Sequence, residues 1–272
     1  MVVAFEGWND AGEAATASVR YLAEQWAAHP FARIEPEDFY DFTVTRPQVR
    51  IVGGEQRLVE WPQNRFFHAR PVGAPDLVLL SGVEPQLKWK TFCAQIIEVA
   101  SVLRVRLVLS LGALLADVPH TRPTSVFGTA YDPKVIEALH LEPSRYEGPT
   151  GIVGVLHQEL RERGINSASL WAAVPSYVSG VPSPKAALAL VEKVGGMLSA
   201  PVPLDELEAA SKGYVEQIDR LVAEDDDTID YVAHLEELHD GGDEFDPLQG
   251  SPLDGERAQE LVAEVERFLR EQ

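Results

Sequence analysis

Cysteine is almost missing from this chain: Cys93 stands alone among 272 residues, so no internal disulfide can staple the fold. Its apolar setting beside Ile96 and Ile97 reads as a buried, inert thiol in a reducing compartment. Long hydrophobic runs are also lacking. The longest, residues 107–118, is about half of what a membrane span needs, and no charged leader followed by an apolar stretch opens the chain. A cytoplasmic protein with no membrane partner is the expectation. The familiar enzymatic signatures are missing too. There is no G-x-S-x-G elbow, no H-E-x-x-H, no C-x-x-C, no phosphate-loop G-K-[S/T] and no tight G-x-G of a dinucleotide site. Asp117-x-x-His120 would orient an imidazole, yet no serine or cysteine is marked out as its nucleophile. Asp230, His234 and Glu237 share a helical face, but no second segment offers a ligand to close a metal site. No catalytic residue, metal or cofactor is expected.

What the chain has in excess is acid, and most of it in one place. The formal net charge is −20. From Pro201 onward 22 Asp and Glu face 5 Lys and Arg, whereas residues 1–200 carry 21 acids and 18 bases. The first part is nearly neutral and the remainder is the acidic object. Such a surface disfavours nucleic acid and anionic membranes. It would suit a basic protein partner, although a solvated acidic face is the commoner reason for it.

Hydrophobic patterning divides the chain at the same point. Over residues 1–200 short apolar runs alternate with helical periods. Buried strands are expected at 2–5, 76–81, 106–111 and 167–174, with helices over 10–28, 88–103, 133–139, 151–163 and 184–198. A β-rich insert near 43–70 supplies strand candidates at 43–44, 49–52, 58–61 and 66–69, with Gly53-Gly54 as a hairpin turn. Alternation of this kind predicts an α/β fold, a three-layer α/β/α sandwich on a mostly parallel sheet. From Leu204 the period is helical throughout, so residues 201–272 read as an acidic helical extension. Asp205 and Glu208 resemble a capping box, and Leu207, Ala210, Tyr214, Ile218 and Leu221 share one face. A second helix is expected over 228–239 and a third from Asp254. Their stripes need cover, either on the sandwich or on another subunit.

The opening residues, Val2 to Ala15, carry the most information. An apolar run breaks at Gly7 into a turn crowded with acids and then into an alanine-rich helix. Asp10 followed by Glu13 fits a capping box. A helix start placed after a strand ordinarily invites an anion, but Glu6, Asp10 and Glu13 already fill it with negative charge, so this is no phosphate loop. A strand beginning at residue 2 also suggests a natural chain that starts earlier. Ligands of open parallel sheets bind beyond the carboxyl ends of the strands. The polar segments expected there hold Glu6, Trp8, Asn9 and Asp10, then Glu84, then His120 and Arg122, with Thr150 in Gly148-Pro149-Thr150-Gly151. A salt-bridged knot of Glu6, Asp10, Glu84 and Arg122 is one expectation for these groups, and a small-ligand pocket is the other. Thr150 is expected to cap the following helix, and Gly154 to allow close packing. Trp8 and Trp89 read as core or pocket walls.

Gly7-Trp8-Asn9-Asp10-Ala11-Gly12 resembles the opening motif of the proteasome assembly chaperone family, in its actinobacterial-type branch. Further matching stretches are Asp38-Phe39-Tyr40-Asp41-Phe42-Thr43 with Arg46-Pro47, and Gly82-Val83-Glu84-Pro85 with Trp89. Residues 112–123, Gly148 to Gly151, Val174-Pro175 and Pro182-Ser183-Pro184-Lys185 complete the likeness, which spans about the first 200 residues. The resemblance implies a phosphorylase/hydrolase-like fold and a non-catalytic assembly or scaffold protein. It implies a homo-oligomer, with a trimer first, and a large partner such as a proteasome-like particle. The alternative it leaves open is a nucleoside-like small-molecule binder or enzyme on the same scaffold. One feature departs from the family: the hydrophobic–tyrosine–any-residue ending by which such chaperones often dock is replaced here by Leu269-Arg270-Glu271-Gln272.

Overall fold

The strand Val2–Glu6 (β1) is apolar at nearly every position because both of its faces are covered. In the computed structural model, which describes residues 1–54 and 56–241, it lies in the middle of an eight-stranded sheet. The other strands, in chain order, are β2 (His29–Ile34), β3 (Gln48–Val52), β4 (Gln56–Glu60), β5 (Asn64–Ala69), β6 (Leu77–Val83), β7 (Val108–Ala116), β8 (Val126–Ala130), β9 (Glu142–Pro143) and β10 (Ser167–Pro175). The order across the sheet is β2-β5-β6-β1-β7-β10-β8-β9. The central β6, β1, β7 and β10 run parallel. Antiparallel pairing brings in β5 and β2 at one side and β8 at the other.

Side chains alternate between two apolar layers, as strand geometry requires. Val2, Ala4, Leu79, Leu109 and Leu170 face the layer of α1 (Ala14–Gln25) and α5 (Pro184–Leu198). Val3, Phe5, Leu80 and Val108 face α2 (Trp89–Val102) and α4 (Ile152–Glu162), where Cys93 is fully buried and burial pushes its thiol up to about 12. This is the α/β/α sandwich that the alternation predicts. The short α3 (Pro133–Leu139) starts on Asp132, whose carboxylate accepts from Lys134 N. Ser183 caps α5 in the same manner, ahead of Pro184.

Several local expectations are corrected. Residues 43–44 form no strand, because the Asp41 carboxylate accepts from Thr43 N at 2.8 Å and holds the chain in a turn. β2, β8 and β9 escape notice in the sequence: β2 opens His29-Pro30, β8 contains Gly128, and β9 is two residues long. The anticipated box of Asp10 and Glu13 does not form. The chain makes a 3-10 turn over Ala11–Glu13, Glu13 takes φ 51°, and Asp10 instead serves α1 one turn later. Ala15 N donates to its carboxylate at 2.7 Å, Thr16 N at 3.3 Å and the Thr16 hydroxyl at 2.5 Å. Asp205 and Glu208 form no box either. They lie inside α6 (Asp205–Val222), beyond the capping residue Leu204, where first-turn acids favour the helix dipole.

β3 and β4 make a two-stranded ribbon outside the main sheet, and Gly53 and Gly54 turn it at φ 63° and 83°. After α5, α6 and α7 (Asp226–Asp240) fold back on the sandwich. Tyr214 and Ile218 of α6 meet Val232 and Leu235 of α7 around Tyr177 and Val178. Ala210, expected on this stripe, is exposed, and Ser211 is buried instead. The helix expected from Asp254 lies outside the described residues. Among the described residues no helix is long and apolar enough to cross a membrane.

Candidate functional site

Glu84 is the hinge of the strand-end region. It follows β6 directly, and its Oε1 accepts from Ile152 N, the first residue of α4, at 2.8 Å. The same oxygen lies 3.5 Å from Asn9 Nδ2, while Oε2 accepts from Trp8 N at 3.4 Å. One carboxylate thus caps α4 and ties it to the turn after β1. Gly151 leaves room at the contact: a Cβ there would stand 2.3 Å from Asn9 Nδ2 and 2.8 Å from Glu84 Oε1, so both side chains would have to shift. Thr150, the expected cap, plays no such part; its hydroxyl lies 3.4 Å from Gly151 O. The turn is also stitched to β7, Ala113 N donating to Asn9 O at 2.9 Å.

The expected knot of Glu6, Asp10, Glu84 and Arg122 does not form. Glu6 pairs with Arg20 at 3.2 Å, and its carboxyl is raised by burial against the pull of Arg20. Asp10 is buried and held by the start of α1, and burial raises its carboxyl despite three donors. Arg122 is elsewhere. β7 runs to Ala116 rather than ending at 111, which carries the next loop about 16 Å further, past the strand ends and onto α6 and α7. There Arg122 Nε and Nη2 grip Asp240 at 2.9 and 2.8 Å, and Nη1 reaches Glu236 at 3.1 Å. His120 is buried in the same place. Its backbone N donates to the Tyr177 hydroxyl at 2.7 Å, the hydroxyl lies 2.7 Å from Nδ1, and Nε2 lies 3.0 Å from Asp219. Burial lowers the imidazole, opposed by Asp219. Lys185 donates to the carbonyls of His120 and Arg122, and burial pushes its amine down to about 8.

What remains at the strand ends is a cavity of 1380 Å³, lined by Trp8, Asn9, Asp10 and Thr150 of the expected residues. Trp8 is no core residue; it is 63 % exposed at the cavity. Trp89 packs against the α2–α4 layer and donates its indole N–H to Pro85 O. Part of the floor comes from residues that motif reading passes over. Trp171–Phe127 and Ser169–Thr129 are paired positions of β10 and β8 that line the cavity, and their rows continue onto Gly112 and Ser110 of β7. Above them His157 of α4 is buried between two hydroxyls, Nε2 lying 2.7 Å from Ser110 Oγ and Nδ1 2.8 Å from Ser167 Oγ. Burial pushes His157 down to about 4, so it is neutral at pH 7. One signal was legible: Ser167, Ser169 and Trp171 alternate with Ala168 and Leu170 in a buried strand, which marks one face as other than apolar core.

The PAC2 family model matches residues 4–222. The chain belongs to the PAC2 family. A PAC2 family protein from Streptomyces avermitilis is 44 % identical, superposes with a TM-score of 0.80, and is matched over 85 % of this chain and 98 % of its own. A proteasome-assembly chaperone homologue from Mycobacterium tuberculosis is 46 % identical, with a TM-score of 0.77 and the same coverages. At 17 % identity a Pyrococcus furiosus archaeal proteasome activator shares the fold, with a TM-score of 0.65 over 81 % of this chain and 92 % of that one. No curated protein matches. In this PAC2 chain the start of α4, the natural place for an anion beside the cavity, already holds the Glu84 carboxylate. Among the described residues no group of three or more His, Cys, Asp or Glu comes together to hold a metal.

Proposed function

We propose that this PAC2 protein is a non-catalytic assembly factor that works in the cytoplasm as a homo-oligomer on a proteasome-like particle. The observation that carries the reading is what the strand-end charges do. Glu84, Asp10 and Glu6 each serve a tie within the fold, and Arg122 binds the helical extension rather than a substrate. The naming of the Mycobacterium relative as a proteasome-assembly chaperone homologue supports the client. In this reading residues 1–200 form a rigid sandwich, and residues 201–272 an acidic extension offered to the client.

Self-association is assigned to the β3–β4 ribbon, with a second copy of the chain as its occupant. A lone two-stranded hairpin is marginal in water, yet this one exposes Val49, Ile51, Leu58, Val59 and Trp61. In and beside it Arg46, Arg50 and Arg57 outnumber Glu55 and Glu60, with Arg50 paired to Glu60 at 3.2 Å, in a chain of net −20. The complementary surface on a neighbour is the acidic face of α6 and α7. A contact between unlike surfaces builds a ring when its rotation closes, and a trimer is the first size to test. Native mass spectrometry of protein drawn gently from its own cytoplasm should show the oligomer and a co-eluting larger complex. Ile51→Glu with Val59→Glu should give a folded monomer. A wild-type monomer, or an unchanged mass in the variant, would overturn the self-association. The absence of any stoichiometric partner would overturn the assembly role.

A further inference from the structure

We propose that the strand-end cavity is the seat of an amphipathic helix, and that the chain itself supplies this helix from residues 254–269. The inference goes beyond the assembly role, and either can fail without the other.

The cavity has the dimensions of a groove. Its 1380 Å³ exceeds the range of about 300–1,000 Å³ that small molecules fill. The lining runs from Leu115, paired with Val174 of β10, to Ala130, paired with Ala168. Those positions are six residues apart on β10, about 20 Å, which is the length of about thirteen helical residues. The groove is also apolar where it meets water. Trp8, Leu115, Tyr131 and Tyr146 all line it, and each is about half exposed or more. Single apolar side chains scattered over a surface need no partner, but four gathered at one groove mark a contact.

The sequence carries a matching occupant. Leu261, Val265 and Phe268 recur at helical spacing, with Val262 and Leu269 beside them, while Ala263 and Arg267 fall on the opposite face. A helix of this length is marginal in water unless its apolar face is covered. The tether is long enough and starts in the right place. Asp240, at the end of α7, is gripped by Arg122, which stands three residues before the lining residue Ser125. From there residues 242–253 can span up to about 40 Å, twice the length of the groove. Tethering also decides between occupants. A segment joined by a short linker meets its site at an effective concentration on the order of millimolar, which a separate protein with a similar stripe must exceed to displace it.

The test uses the full chain with a nitroxide on Ala263→Cys, opposite the stripe; the native Cys93 is buried and escapes the label. In NMR spectra the label should broaden the amides of Ser125, Thr129 and Val153 and leave those of the β3–β4 ribbon sharp. Leu261→Glu with Phe268→Glu, added to the same chain, should abolish the broadening. It should also quicken hydrogen exchange over residues 254–269 at least about tenfold, the least that exposing a buried leucine or phenylalanine costs. These substitutions lie outside the sandwich, so the fold stays intact for the measurement. Leu115→Glu should release the segment from the groove side. Gln259→Glu with Gln272→Glu, which adds the same charge off the stripe, should change neither readout. The proposal is overturned if no lining amide is broadened, or if the charge-matched control releases the segment as well. It is also overturned if the broadening appears only on unlabelled chains mixed with labelled ones, which would make a second copy the occupant.

Discussion

Two polar regions join separate parts of this chain, and they are built on different principles. At the strand ends Glu84 and Asp10 are half-buried or buried, and they bind backbone N–H groups of α4, α1 and the β1 turn. At the helical extension Arg122, Glu236 and Asp240 bind one another as ions near solvent. The first region satisfies donors that water cannot reach, so losing an acceptor leaves an orphaned amide. The second sets charge against charge where water and salt compete. The difference teaches that charge in the sequence says little about which charges hold the fold. Glu84 and Asp10 work as hydrogen-bond acceptors, and their sign matters chiefly because it keeps other anions away.

The largest expected effect comes from His157, which lies under both comparisons as a buried neutral base. Its folded pKa of about 4 lies below the 6.5 of the unfolded chain. The unfolded state therefore binds the proton more readily, and stability present above pH 6.5 is lost as pH falls toward 4. The loss amounts to about 3 kcal/mol. Urea melts at pH 7 and pH 4.5 should show it, and His157→Gln should flatten that part of the profile. A wild-type profile without a fall over that range would mean that the imidazole is not buried. Next in size is Glu84→Ala, which strips the cap of α4 and two further contacts at once. About 2 kcal/mol should go, and Glu84→Gln should recover part of it, because an amide oxygen still accepts from Ile152 N. Tyr177→Phe should cost about 1 to 2 kcal/mol by leaving the buried His120 N–H without its acceptor. Equal losses for Glu84→Ala and Glu84→Gln would break the view of Glu84 as an acceptor first.

Much of the sandwich was legible in the sequence. Buried parallel strands read as unbroken apolar runs, and Ser183-Pro184 or Asp132-Pro133 announce their helices locally. The edge strands were not legible, because β2, β8 and β9 owe their pairing to neighbours distant in sequence. The site divides the same way. Motif residues Trp8, Asn9, Asp10 and Thr150 do reach the cavity. Arg122 was misplaced because β7 runs past residue 111, where its end was expected, and strand length is set by pairing with β10 over Ser167–Pro175. Glu84 as the cap of α4 was out of reach, since a capping residue 68 positions away leaves no local spacing to read. His157 between two serines was hidden likewise, its partners lying on two strands.

The smallest effect on global stability is expected at Arg122, and it is the one that sharpens the contrast most. Arg122→Ala removes both grips on α7, yet these pairs are partly exposed, so the melting midpoint should shift less than for Glu84→Ala. The change should be local. Hydrogen exchange should quicken in the last turns of α7, where Glu236 and Asp240 lie, and leave β1, β7 and the start of α4 unchanged. Salt should imitate the mutation. Raising ionic strength from about 0.1 M to about 1 M shortens the screening length from about 10 Å to about 3 Å, so α7 should loosen in the wild type while the amide of Ile152 keeps its protection. If salt loosened Ile152 as well, the Glu84 carboxylate would be acting as a charge, and the two regions would be held by the same force.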